Sequence, residues 1–156
     1  MRCNLVRDSF SLGLEFFKEK DFVRSELQFS RYLEWEECYE TYFYLGLIQN
    51  CKGLTEKALQ YFFKSLSLFP EYGNASNEIG VLLLRLGKKR EAVYWLKKSA
   101  DSKTNDALHI TYFNLATLYH SWNRPERSLQ YLHKAISIQP EFKEAIGLRD
   151  KLLNTL

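Results

Sequence analysis

Four times along this 156-residue chain a small residue is followed, twelve positions later, by another. The pairs are Gly13 and Ser25, Gly46 and Ala58, Gly80 and Ala92, and Ala116 and Ser128, and each opens just after a leucine or isoleucine. From Gly13 to Gly46 is 33 residues, from Gly46 to Gly80 is 34, and from Gly80 to Ala116 is 36, which implies a two-residue insertion. Four positions after the second member of each pair stands a large apolar residue: Phe29, Phe62, Leu96 or Leu132. A fixed interval of this length marks one small structural unit, repeated and stacked on its own copies.

Each feature of the unit has a physical reason. Antiparallel helices approach to about 8–10 Å only where the facing side chains are small, which the pairs provide. The large residue four positions on lies one turn later on the same face and fills the space between helices. Gly53 and Gly87 fall between paired helices, where a positive φ ends the first one. Pro70 and Pro140 end the second, because proline has no N–H to continue the ladder. The pattern predicts an all-α fold, an antiparallel helix-pair solenoid forming a single domain over 1–156. Its units cover about 6–38, 39–72, 73–108 and 109–142, with a capping helix over 141–154. The helices are expected over 4–19, 22–35, 39–52, 55–69, 73–86, 89–101, 106–121, 125–138 and 141–154. Asp21, Thr55 and Asn105 suit N-cap positions, and Pro125 suits the first turn of its helix.

These residues resemble the tetratricopeptide repeat, whose pattern runs W-x₂-L-G-x₂-Y, then A-x₃-F, then P. Tyr42-x₂-Leu45-Gly46, Ala58-x₃-Phe62 and Pro70 follow it closely, as do Tyr112-x₂-Leu115-Ala116-x₂-Tyr119 and Pro140. The third copy has Ser76 for the aromatic and lacks the proline, and the first copy departs furthest. Pentatricopeptide arrays, which read RNA, lack this signature. The resemblance implies a superhelical solenoid and a concave surface made by the first helix of each pair. Its inward positions correspond here to Arg7, Phe10, Leu14 and Phe17, then Glu40, Phe43, Leu47 and Asn50. They continue with Asn74, Asn77, Val81 and Leu84, then Ile110, Phe113, Thr117 and His120. Of these, Phe10, Leu14, Phe43, Leu47, Asn50, Asn74, Asn77, Val81, Phe113, Thr117 and His120 form the candidate peptide-binding groove. Phe43 and Phe113 are its expected anchors and the asparagines its amide donors to a peptide backbone. Packing between neighbouring first helices is the alternative role for the phenylalanines, and it stays open for Phe10, Phe17 and Leu84. Some members of the family grip a terminal carboxylate with lysine, asparagine and arginine. No lysine or arginine stands at Phe10, Leu14, Phe43, Tyr44, Leu47, Asn74, Glu78, Ile110 or Asn114, so no such clamp is expected.

Chemistry leaves no comparable trace. No glycine-rich phosphate loop, His-Glu-x-x-His or paired-cysteine motif occurs. His109 and His120 are eleven apart on one expected helix, too far to share a metal. We therefore expect no enzyme activity, no cofactor and no metal. The net charge of +3 announces no nucleic-acid partner, and it is uneven, with −3 over residues 1–41 and +6 over 42–156. Arg85, Lys88, Lys89 and Arg90 read as an exposed basic turn. Three cysteines, Cys3, Cys38 and Cys51, match no disulfide or metal framework and fit a reducing cytoplasm. Nothing resembles a signal peptide or a membrane span. The expected role is an adaptor or chaperone-like module that binds a peptide or amphipathic helix of another protein. A structural protein that stacks end to end, its acidic start against its basic remainder, is the alternative, with weak self-association as its mark. An RNA-contacting or enzyme-accessory protein is the third reading.

Overall fold

The computed structural model describes residues 2–155 and, of residues 2–7, the backbone alone, so the side chains of Cys3 and Arg7 lie outside the described residues. Nine helices and no strand occur among the described residues. They are α1 (Arg2–Lys18), α2 (Phe22–Leu33), α3 (Tyr39–Cys51), α4 (Thr55–Leu68), α5 (Gly73–Arg85), α6 (Lys89–Asp101), α7 (Leu108–Ser121), α8 (Pro125–Ile138) and α9 (Lys143–Leu153). Every expected boundary falls within two residues of the observed one. The chain divides into two compact units, 1–70 and 71–156. In the first, α1 pairs with α2 and α3 with α4, and α2 packs on α3. In the second, α5 pairs with α6 and α7 with α8, α6 packs on α7, α5 touches α7, and α9 covers α8.

Within each hairpin the small positions do what the interval implies. Ser25 Oγ donates to the Gly13 carbonyl at 2.8 Å, and Ser128 Oγ to that of Ala116 at 2.9 Å. Facing backbones approach so closely that a hydroxyl spans them. The obstacle to bulk at the glycines is the large residue one turn on. A Cβ at Gly13 would lie 2.7 Å from the Phe29 ring, at Gly46 2.5 Å from that of Phe62, and at Gly80 2.7 Å from Leu96. Phe29, Phe62, Leu96 and Leu132 are all fully buried.

The hairpin turns repeat too. Gly53 and Gly87 adopt φ of +75°, and Lys20 and Asn123 hold the same place with φ of 61° and 54°. All four turns share the Schellman pair of hydrogen bonds, such as Gly53 N–H to Asn50 O and Leu54 N–H to Gln49 O. The caps differ from expectation in two places. Asp21 does cap α2, accepting from Arg24 N–H at 3.0 Å. Thr55 is instead the first residue of α4, with Leu54 at the N-cap. The turn geometry places Thr55 one position too late to reach a free N–H. Asn105 lies two residues before the N-cap of α7, Ala107, and accepts from the Ala107 N–H at 2.9 Å. It belongs to a turn formed where the repeat interval lengthens by two.

That turn, residues 102–107, closes over the start of α5. Thr104 Oγ1 accepts from Gly73 N–H at 3.2 Å, serving an α5 N–H that its own N-cap, Tyr72, leaves without a side-chain partner. Ser102 and Thr104 hydroxyls both donate to the Glu71 carbonyl. A Cβ on Gly73 would meet Ser102 and Asn105 at 2.8 Å, so only glycine admits the loop.

Candidate protein-binding faces

The first unit spends most of its aromatic side chains on itself. Phe10 meets Phe29 at 5.7 Å and Tyr32 at 5.3 Å, while Phe17 meets Tyr44 at 5.3 Å. Together with Leu14 they pack on the buried cluster of Phe29, Leu45 and Ile48. Phe10 and Phe17 are thus packing residues. Phe43 is only 9% exposed, its ring against Phe62 at 5.8 Å and Tyr44 at 5.6 Å, so the first expected anchor lies in the core. Leu47 and Asn50 are half-buried on the later turns of α3. Gln49, fully interior, donates from Nε2 to Glu26 Oε1 at 2.8 Å, and Lys52 pairs with the same carboxylate, which ties α2 to α3. Burial pushes the Glu26 carboxyl up, but the hydrogen bonds from Lys52 and Gln49 outweigh it and hold it below the ordinary value.

In the second unit the asparagines are engaged within the chain. Asn74 Nδ2 donates to Asp106 Oδ2 at 2.9 Å and its Oδ1 accepts from Asp106 N–H at 3.1 Å. Asn77 is buried, and its Oδ1 accepts from Thr111 Oγ1 at 3.0 Å and from Asn114 Nδ2 at 3.2 Å. Thr111 in turn accepts from Asn105 Nδ2 at 2.8 Å, so a polar chain runs from the 102–107 turn to the meeting of α5 and α7. Both asparagines therefore lace α5 to its neighbours instead of offering free amides. Leu84 packs on Leu96, Leu115 and Leu118, which settles it as packing. Phe113 is half-buried with its ring 5.1 Å from Phe142, at the start of α9.

What remains open on these two helices is a narrower strip. Val81 is half-buried one turn beyond Asn77, Ile110 is 40% exposed, and Thr117 and His120 are exposed. The Thr117 hydroxyl donates to the Phe113 carbonyl at 2.9 Å. Sequence reasoning missed Glu78 as a half-buried carboxyl. Burial pushes its carboxyl above the ordinary value, with the Asn77 amide at 3.2 Å and the Arg85 charge opposing only in part. Its single negative charge on α5, just before the apolar run Ile79–Leu84, was the signal available. No cluster of three metal-ligating side chains and no helix long and apolar enough to cross a membrane occurs among the described residues. Cys38 and Cys51 are free thiols.

Comparison with known proteins agrees with this architecture. The tetratricopeptide repeat family model matches residues 110–149, and a model described as the Est1 DNA/RNA binding domain matches residues 58–106. A TPR repeat-containing protein of Methanocaldococcus jannaschii is 29% identical over 125 residues, covering 80% of this chain and 22% of that protein. The chain thus spans about a fifth of that relative's length. Among solved structures, pilF of Pseudomonas aeruginosa superposes with a TM-score of 0.89 at 15% identity, over 99% of this chain and 70% of that one. YrrB, described as a TPR protein with an unusual peptide-binding site, gives 0.72 at 19% identity, over 93% and 74%. The two structures share the fold, the family model places a tetratricopeptide repeat at residues 110–149, and the archaeal relative to which the chain is similar carries such repeats.

Proposed function

We propose that this chain is a non-catalytic adaptor that holds a segment of another protein against the adjoining faces of α5 and α7. Tetratricopeptide folds serve protein–protein interaction in general, and a peptide-binding site is described for YrrB. The observation that carries the reading for this chain is the lacing at Asn77. By accepting from Thr111 and Asn114 together, it fixes α5 beside α7 and leaves Val81, Ile110 and Thr117 as a partly open apolar strip. Apolar contact in such a strip supplies affinity, and the rigid frame lowers the ordering cost of binding.

Thr117→Arg tests this cleanly, because residue 117 is exposed and the larger side chain obstructs the strip without entering the core. Peptides selected from a display library on the native protein should lose at least about tenfold in affinity, with unchanged melting, consistent with loss of a central contact. Unaltered affinity in the folded variant would refute the assignment. The family-model match at 58–106 favours a second reading, since Arg85, Lys88, Lys89 and Arg90 fall inside it. Salt-sensitive RNA retention abolished by Lys88→Glu with Lys89→Glu would place the function on that basic turn.

A further inference from the structure

The turn between α7 and α8 carries a cleft of about 410 Å³ lined by Tyr119, Trp122, Arg124 and Arg127. That volume is within the range of small-ligand sites, about 300–1,000 Å³. Its walls are aromatic and cationic. The Tyr119 ring is nearly buried, stacked on Tyr131 at 5.5 Å, with the Trp122 ring edge-on at 5.6 Å and the Arg127 guanidinium 5.6 Å from the same ring centroid. Trp122 keeps part of its surface open, and both arginines are exposed. Neither arginine forms an ion pair among the described residues, and the exposed Glu126 between them in sequence pairs with neither. The start of α8 adds its partial positive charge, with no side-chain cap on its first-turn N–H groups and with the Glu126 carboxylate in the same turn opposing it.

We propose that this cleft binds a phosphate monoester carried on an aromatic ring, the group a phosphotyrosine side chain presents. Guanidinium groups match phosphate oxygens in charge and in their forked N–H geometry, and the exposed part of the Trp122 indole, whose remainder packs on the core, offers an apolar contact to a ring. Arg127 and Trp122 flank one small tyrosine ring, so the ligand's anionic and aromatic parts must also be adjacent. An aryl phosphate meets that condition, while a nucleotide separates base from phosphate by a ribose. The site lies apart from the α5–α7 strip and does not depend on it.

Phenyl phosphate is the probe, titrated into the full chain while the indole N–H signals are followed by NMR. The Trp122 signal should move with phenyl phosphate and not with phenol, and added salt should weaken the effect. Arg124→Ala with Arg127→Ala should raise Kd by about tenfold or more, as expected for loss of charge-assisted hydrogen bonds. Arg127→Ala also removes a contact to Tyr119, so Arg124→Gln alone, with its helical circular dichroism checked, serves as the milder variant and should weaken binding in the same direction. Wild-type affinity in folded variants, an equal response to phenol, or no response of Trp122 would overturn the proposal. Adenosine monophosphate binding more than tenfold tighter than phenyl phosphate would overturn the aryl assignment in favour of a nucleotide.

Discussion

Alanine at position 46 would put a methyl carbon 2.5 Å from one Phe62 ring carbon and 2.7 Å from another. The ring has nowhere to retreat, because Phe62 is fully buried and its face is shared with Phe43 at 5.8 Å. Overpacking of this kind costs about 1–3 kcal/mol, and the severity of the overlap argues for the upper half. Against it stands a gain of about 1 kcal/mol from replacing a mid-helix glycine. Gly46→Ala should therefore destabilise by about 1–2 kcal/mol net. Gly147 supplies the control, since it lies inside α9 with nothing within 4 Å of an added Cβ. There the same substitution should stabilise by about 0.5–1 kcal/mol. Urea unfolding followed by helical circular dichroism measures both, and trimming the obstacle in Gly46→Ala with Phe62→Leu should recover part of the loss. Two alanine variants stabilised alike would show that α3 and α4 do not meet in this register.

Asn105→Ala removes the amide that donates to Ser99 O, Ser99 Oγ and Thr111 Oγ1. Each acceptor keeps another partner, Ser102 N–H for Ser99 O, Gly73 O for Ser99 Oγ and Asn77 Oδ1 for Thr111 Oγ1, so a loss of about 1 kcal/mol in unfolding free energy is expected, against less than about 0.5 if the loop is merely surface. Glu78→Gln should stabilise the protein at neutral pH. Because burial raises the folded carboxyl pKa, the native state binds more protons between the ordinary value and the raised one, so wild-type stability falls as pH rises through that window. The advantage of the glutamine variant should be full above the raised pKa and vanish below the ordinary 4.5, in urea unfolding curves collected across that range.

The repeat interval made the helix pairs legible because it is a steric rule: Gly46 and Phe62, or Ser25 and Gly13, can meet only at that spacing. Counting the same interval would also have found Lys20 and Asn123 at the turns, which composition hides because neither is glycine. Open faces were harder to read. Phe43 and Thr117 occupy equivalent faces of their helices, yet one is core and the other exposed, because burial depends on which neighbours arrive from distant sequence. The same holds for Asn74 and Asn77. Their partners Asp106, Thr111 and Asn114 lie 32 to 37 residues away, set by a turn whose two-residue insertion was visible but whose destination was not.

Hydrogen-exchange protection of the complex with a display-selected peptide tests the central claim most directly, because it locates the partner without altering the protein. The account predicts added protection on peptides containing Val81 and Thr117, with the α6 and α8 segments unchanged. Protection confined to α6 and α8 would contradict it.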